Sequence, residues 1–258
     1  MRARAADLVR RARRAVARRE LPVVSAHVGR LDYDGAEILV GVTSRTEILS
    51  RLRPAAKEPW TVRWLQESVR PGDVLYDVGA NVGAYALIAA TLQARVVAFE
   101  PGYASYAALC DNVVLNGLED AVTPLPVVLG ERAELATLSY GGTDAGARTF
   151  SAGTSLSVAY RQPVLVHRLD DLVEQLELPP PTLVKLDVDG AEASVLAGAA
   201  RTIARPELRS LLVEVERERA DDVVPLLEQG GLALRERIDE RDGEPLRHVW
   251  YGIFDRAQ

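Results

Sequence analysis

Apolar positions recur with two different periods along this chain. Between residues 2 and 20, Ala5, Leu8, Val9, Ala12 and Val16 fall three and four apart with arginines between them, which predicts a helix with a thin apolar stripe. From Val23 to Val42 the period shortens to two. Ala36, Ile38, Val40 and Val42 alternate after an Asp34-Gly35 turn, the pattern of a β-hairpin. Helical spacing returns around Thr43–Leu52 and Trp60–Val69, and Pro71-Gly72 then punctuates the chain. Beyond it, short apolar runs alternate with helical segments, at Val74–Val78, Val96–Phe99, Leu125–Leu129, Leu183–Val188 and Leu211–Val215, with weaker runs at Leu232–Ile238 and His248–Phe254. That rhythm predicts an α/β fold, a doubly wound, seven-stranded sheet covered by helices on both faces.

The third run carries Pro124 and Pro126, which leave one side of a strand without N–H donors, so it is expected at a sheet edge. Between Glu134 and Asp171 two alternating segments, Leu135–Tyr140 and Pro163–Arg168, flank a stretch rich in glycine, serine and threonine. This reads as an inserted β excursion with a mobile loop at Gly141–Ser157. The expected organisation is an N-terminal helix and hairpin addition, residues 1–60, ahead of one α/β unit, residues 61–258.

Composition narrows the classes. With 258 residues, 48% hydrophobic and 26% charged, the chain can build a sizeable core. A net charge of -6 argues against a face made to neutralise a phosphate backbone, so nucleic acid is not an expected partner. The lone Cys110 cannot form an internal disulfide and fits a reducing cytoplasm. No apolar run approaches the roughly 20 residues of a membrane span. The arginine-rich start also has no apolar stretch behind it to act as a secretory signal. A cytoplasmic location is therefore expected. Nearly every cation is arginine; the only lysines are Lys57 and Lys185, which makes their positions conspicuous.

The strongest chemical signal is Val74-Leu-Tyr-Asp-Val-Gly-Ala-Asn-Val-Gly-Ala-Tyr85, a buried strand running through a glycine-bearing turn into an apolar helix. Gly79 and Gly83 permit a sharp turn and close approach of an elongated cofactor. A second strand ends in Phe99-Glu100-Pro101, where Glu100 can accept hydrogen bonds from both hydroxyls of a ribose. A dinucleotide site asks for G-x-G-x-x-G, but Asn81 and Ala84 occupy its middle and last positions. Asp77 would also repel a pyrophosphate, whereas it suits the α-amino group of S-adenosylmethionine (SAM). The candidate SAM-binding set is Asp77, Gly79, Ala80, Asn81, Gly83 and Tyr85 along the turn, Glu100 and Pro101 after the second strand, Leu129 and Gly130 after the third, and Asp187.

Asp187 lies in a second motif, Leu183-Val-Lys-Leu-Asp-Val-Asp-Gly-Ala-Glu192, an apolar strand ending in three carboxylates. Such a cluster at strand carboxyl ends is where open α/β sheets bind ligands. Taken with Asp77-Val-Gly-Ala-Asn-Val-Gly-Ala-Tyr85, Phe99-Glu-Pro101, Asn112-Val-Val-Leu-Asn-Gly117, Leu169-Asp-Asp-Leu172, Val195-Leu-Ala-Gly198 and Glu214, the sequence resembles the FkbM family of methyltransferases over roughly Trp64 to Glu216. The resemblance implies a class I fold with strand order 3-2-1-4-5-7-6 and the last strand antiparallel. It also implies SAM as methyl donor and O-methylation of a hydroxyl on a sugar, polyketide or other small metabolite. Asp189 departs from the glutamate more frequent there.

An alcohol is a poor nucleophile until its proton is removed. Asp187 is the first candidate base, with Lys185, Glu192 and Glu214 completing the catalytic set and His167 and His248 as weaker bets. Asp187 with Glu214 is alternatively an oxygen pair for a divalent cation. Two other readings stay open: a SAM-binding regulator without catalysis, and a nucleic-acid methyltransferase guided by the arginine-rich helix. A homodimer is also left open.

Overall fold

In a computed structural model of the chain, which describes residues 27–42, 52–140, 149–150 and 160–256, the apolar runs beyond Pro71 gather into one central sheet. The helix expected at 2–20, almost all of that at 43–52, and most of the 141–157 loop lie outside the described residues. The hairpin of β1 (His27–Arg30) and β2 (Leu39–Val42) comes first, antiparallel and with Asp34-Gly35 in its turn. Strands β3 (Val74–Val78), β4 (Arg95–Phe99) and β5 (Val122–Leu125) follow. A second, four-stranded sheet comprises β6 (Val128–Leu129), β7 (Glu134–Tyr140), β8 (Thr149–Phe150) and β9 (Tyr160–His167). The central sheet resumes with β10 (Leu183–Leu186), β11 (Ser210–Glu216) and β12 (Leu232–Ile238), and β13 (Glu240–Arg241) and β14 (Glu244–Pro245) make a small ribbon before β15 (Val249–Arg256).

The seven-stranded order is β12-β15-β11-β10-β3-β4-β5, which numbered by sequence along that sheet is 3-2-1-4-5-7-6. β15 runs antiparallel to both its neighbours. The fold is the Rossmann-like one expected. Alternation explains why it has two cores. Leu75, Val96, Ala98, Leu183 and Leu212 face the layer holding helices Pro59–Ser68 and Ala84–Thr91. Val74, Tyr76, Val97, Phe99, Val184 and Val213 face the layer of helices Leu169–Gln175, Glu192–Gly198 and Ala220–Gln229.

Two boundaries differ from the periodicity. The third run divides: Val122–Leu125 is the edge strand, and Val128–Leu129 leaves to pair with β9. Val96 N–H bonds Ala121 O and Glu100 N–H bonds Leu125 O, so odd-numbered residues face β4 and Pro124 falls on the open side. Pro126 sits in the break between the two strands. β10 likewise stops at Leu186 because Asp189 (φ 52°) and Gly190 (φ 91°) turn the chain in the left-handed region.

The hairpin is fastened to the sheet layer by two asparagines of helix Tyr103–Leu115 and its C-cap. Gly41 N–H donates to Asn112 Oδ1 (2.8 Å), Leu39 N–H to Asn116 Oδ1 (2.9 Å), and Asn116 Nδ2 to Leu39 O (2.7 Å). Asn112 Nδ2 also donates to Val82 O (2.9 Å), linking the hairpin to the glycine turn. Among the described residues no helix is long and apolar enough to cross a membrane.

Candidate active site

A cavity of about 340 Å³ opens at the carboxyl ends of β3, β4 and β10. Residues 78–82 of the glycine turn line it with Glu100, Pro101 and Leu129 at one end, and Tyr85, Lys185, Asp187, Asp189 and Glu214 at the other. Pro54, Lys57 and Glu58 close it from the segment that follows the hairpin.

The turn itself is built from positive φ angles at Gly79 (83°), Asn81 (53°) and Gly83 (91°). The glycines also serve protein packing: a Cβ on Gly79 would lie 1.9 Å from Asp187 O, and one on Gly83 2.5 Å from a Leu109 methyl. Their lack of a side chain thus makes room for neighbouring chain. Gly79 still lines the cavity, whereas Gly83 and Gly130 do not. Glu100 shapes the turn from the next strand, since Asn81 N–H donates to its Oε2 (2.8 Å) and Gly102 N–H to its Oε1 (2.7 Å). Asn81 Oδ1, buried and without a hydrogen-bond partner, belongs to a side chain on the cavity wall. An orphaned acceptor beside an acidic strand end fits a ligand rich in donors, as the ammonium and ribose hydroxyls of SAM are.

At the other end, register puts a polar row on one sheet face. Lys185 pairs with Asp77 across β10 and β3, and Glu214 pairs with Tyr251 across β11 and β15. Lys185 is 2% exposed; its Nζ lies 3.0 Å from Asp187 Oδ2, 3.7 Å from Asp77 Oδ1 and 5.1 Å from the centroid of the Tyr85 ring. Burial opposes its charge, but Asp187 and Asp77 outweigh that and hold the ammonium above the usual lysine range. Asp77 is fully buried beneath the cavity, outside its lining. Burial raises its carboxyl and Lys185 lowers it.

Glu214 accepts a hydrogen bond from the Tyr251 hydroxyl. Burial first, then the Asp187 carboxylate, pushes Glu214 up to about 8. Glu192 stands apart from the cavity: its Oε1 accepts Gly190 N–H (3.1 Å) and Val188 N–H (3.3 Å), closing the turn that carries Asp187 and Asp189. Neither His167 nor His248 lines the cavity. Among the described residues no three His, Cys, Asp or Glu side chains converge as metal ligands do.

Three participants escaped the sequence: Glu58, Tyr251 and the lining role of Lys57. Lysine scarcity was a usable signal, since both lysines of the chain line this cavity. Glu58 gave none, because a glutamate before a helix-starting proline reads as an exposed cap, yet here it is 2% exposed.

Known proteins resemble this chain in sequence and fold. The methyltransferase FkbM domain matches residues 77–233. The hexuronic acid methyltransferase AglP of Haloferax volcanii is 32% identical, matched over 66% of this chain and 66% of that protein. The 31-O-demethyl-FK506 methyltransferase FkbM of Streptomyces tacrolimicus is also 32% identical, over 57% of this chain and 66% of that protein. The chain thus spans just under two thirds of each relative's length. Among solved structures, a putative rRNA methylase of Clostridium thermocellum superposes with a TM-score of 0.51 at 13% identity, over 78% of this chain and 96% of that one, and shares the fold. With its motifs, strand order and matched domain in accord, the chain belongs to the FkbM methyltransferase family.

Proposed function

We propose that this protein transfers a methyl group from SAM to a hydroxyl of a small metabolite. The observation that carries the reading is one cavity joining the glycine turn and Glu100 to a buried acid and lysine cluster at the strand ends. Both relatives are named for methylation of small molecules, a hexuronic acid in one and a demethylated natural product in the other. We keep the division into an addition of residues 1–60 and a methyltransferase unit of residues 61–258, the addition serving the acceptor side.

SAM, when bound, supplies an electrophilic methyl on a sulfonium. Gly79, Ala80 and Asn81 would hold its methionine end, Glu100 and Pro101 the ribose, and Leu129 the adenine side. The remaining task is to hold the acceptor oxygen in line with the methyl and to take its proton. Asp187 was the first candidate for the proton, but the Lys185 ammonium 3.0 Å away stabilises its charged form. Glu214, pushed up to about 8, has the proton affinity that suits a base near neutral pH. We therefore assign the proton to Glu214 and give Asp187, fixed by Lys185, the orienting hydrogen bond.

The test is incubation with SAM and hydroxyl-bearing acceptors, following S-adenosylhomocysteine release and the site of the new methyl. A methyl ether is the expected product; a methylated amine, carboxylate or nucleobase as the sole product contradicts the reading. The rate should rise with pH through about 8 as Glu214 loses its proton, and Glu214→Gln should remove that limb.

A further inference from the structure

We propose that Gln162, on the inserted four-stranded sheet, is a positioning residue for the cofactor: its side-chain amide holds the segment after β4 so that the Glu100 carboxylate meets the ribose hydroxyls. The proposal rests on the assignment of Glu100 to the ribose of SAM under the proposed function. Gln162 Nε2 donates to Pro101 O (2.9 Å), while its Oε1 accepts from Tyr103 N–H (3.1 Å) and from the Tyr140 hydroxyl (3.1 Å). A backbone N–H can only donate and a carbonyl oxygen only accept, so these neighbours fix which way the amide faces. Pro101 and Tyr103 stand on either side of Gly102, whose own N–H donates to Glu100 Oε1 (2.7 Å). Gln162 thus holds both flanks of the residue that holds the carboxylate.

Register explains how a residue so far along the chain reaches this place. β9 pairs antiparallel with β7, setting Gln162 opposite Leu138 and Tyr160 opposite Tyr140. Leu138 lines the cavity, and Val164 and Val166, at the next alternate positions of β9, are buried, so Gln162 lies on the inward face of the sheet. Tyr140 and Tyr160 stack with ring centroids 6.2 Å apart, and Tyr103 meets them edge-on at 6.4 and 5.4 Å, which packs the start of helix Tyr103–Leu115 against the sheet. A Cβ on Gly102 would lie 3.3 Å from the Tyr140 hydroxyl and 2.8 Å from Glu100 Oε1, so tyrosine, segment and carboxylate are in close register. Burial first, then the Glu100 charge, keeps the Tyr140 hydroxyl above the usual tyrosine range and therefore a donor to Gln162. Hydrogen bonds from hydroxyls to a carboxylate are short and directional, and they weaken steeply when the carboxylate is displaced.

The experiment measures the dissociation constants of two probes, S-adenosylhomocysteine and its 2′,3′-dideoxy analogue, on the wild type, Gln162→Met and Tyr140→Phe. Gln162→Met should weaken S-adenosylhomocysteine about tenfold and the analogue, which has no ribose hydroxyl to offer Glu100, by less than about twofold. Tyr140→Phe keeps the ring and removes one of the three hydrogen bonds. It should give the same pattern at about two- to threefold, and it carries the test should Gln162→Met fail to fold. Equal weakening of both probes, which a general loosening of the wall would produce, overturns the proposal, as does an unchanged affinity for S-adenosylhomocysteine. If S-adenosylhomocysteine fails to bind even the wild type, the reading of the cavity as a SAM site has failed. If it binds the wild type no better than the analogue does, the Glu100 assignment has failed and the proposal with it.

Discussion

Lys185 shows how one side chain balances the charge of two others. It is the cation between two carboxylates, one buried beneath the cavity and one on its wall. Lys185→Met leaves Asp77 and Asp187 facing each other uncompensated, and removing one partner of a buried pair costs on the order of 3–5 kcal/mol. Urea unfolding should register a loss of that size, and it should shrink at acid pH as those carboxyls protonate. Glu214 gives the opposite sign. Its folded pKa, about 8, lies above the ordinary 4.5, so between those values the folded protein holds a proton that the unfolded chain has released. Its contribution to stability therefore falls as pH rises across that window, and Glu214→Gln should flatten that part of the stability profile. The chemical residues themselves were legible, because carboxylates at strand ends announce themselves. Their division of labour was not. That Asp77 lies buried beside Lys185, and that Glu192 closes a turn, could not be read, because a sequence shows residue types without the depth at which register places them.

At the scale of elements, periodicity located six of the seven strands of the central sheet, the inner ones most clearly because they are buried on both faces and read as continuous apolar runs, and it met β5 only at Leu125. It failed where one run served two sheets: within Leu125–Leu129 Pro126 marks the break, but nothing in the run tells that Val128 and Leu129 then pair with β9. The hairpin was legible too, but its use was not, because the contacts that dock it join it to Asn112 and Asn116 far along the chain, while its own Asp32 reaches Ala55 and Ala56. Asp32 is the most informative of these to change. Asp32→Ala removes the acceptor for two N–H groups of helix Pro54–Lys57, a loss of about 1 kcal/mol by the usual worth of an N-terminal cap. Because that helix carries Lys57 and Glu58 to the cavity, KM for the acceptor should rise while the dissociation constant for SAM holds. A SAM affinity that falls in step with KM would mean that the hairpin supports the whole cavity and not its acceptor side.

For the whole molecule, the division of the cavity between two parts of the chain is the main structural fact. The glycine turn and the end of β4, within the family-matched residues, line one part, and Pro54, Lys57 and Glu58, which precede those residues, line another; the proposed function gives the first to the cofactor and the second to the acceptor. A shared methyl donor with a variable acceptor is what such a division allows. The most direct test is thermal unfolding with SAM and, separately, with NAD, since both ligands suit a Rossmann-like sheet. SAM held at 100 times its dissociation constant should add about 2.7 kcal/mol of stability, a rise of roughly 5–10 °C for a chain of this size. Glu100→Ala should lose most of that rise, and NAD should give none. Stabilisation by NAD and not by SAM would contradict the assignment of the site.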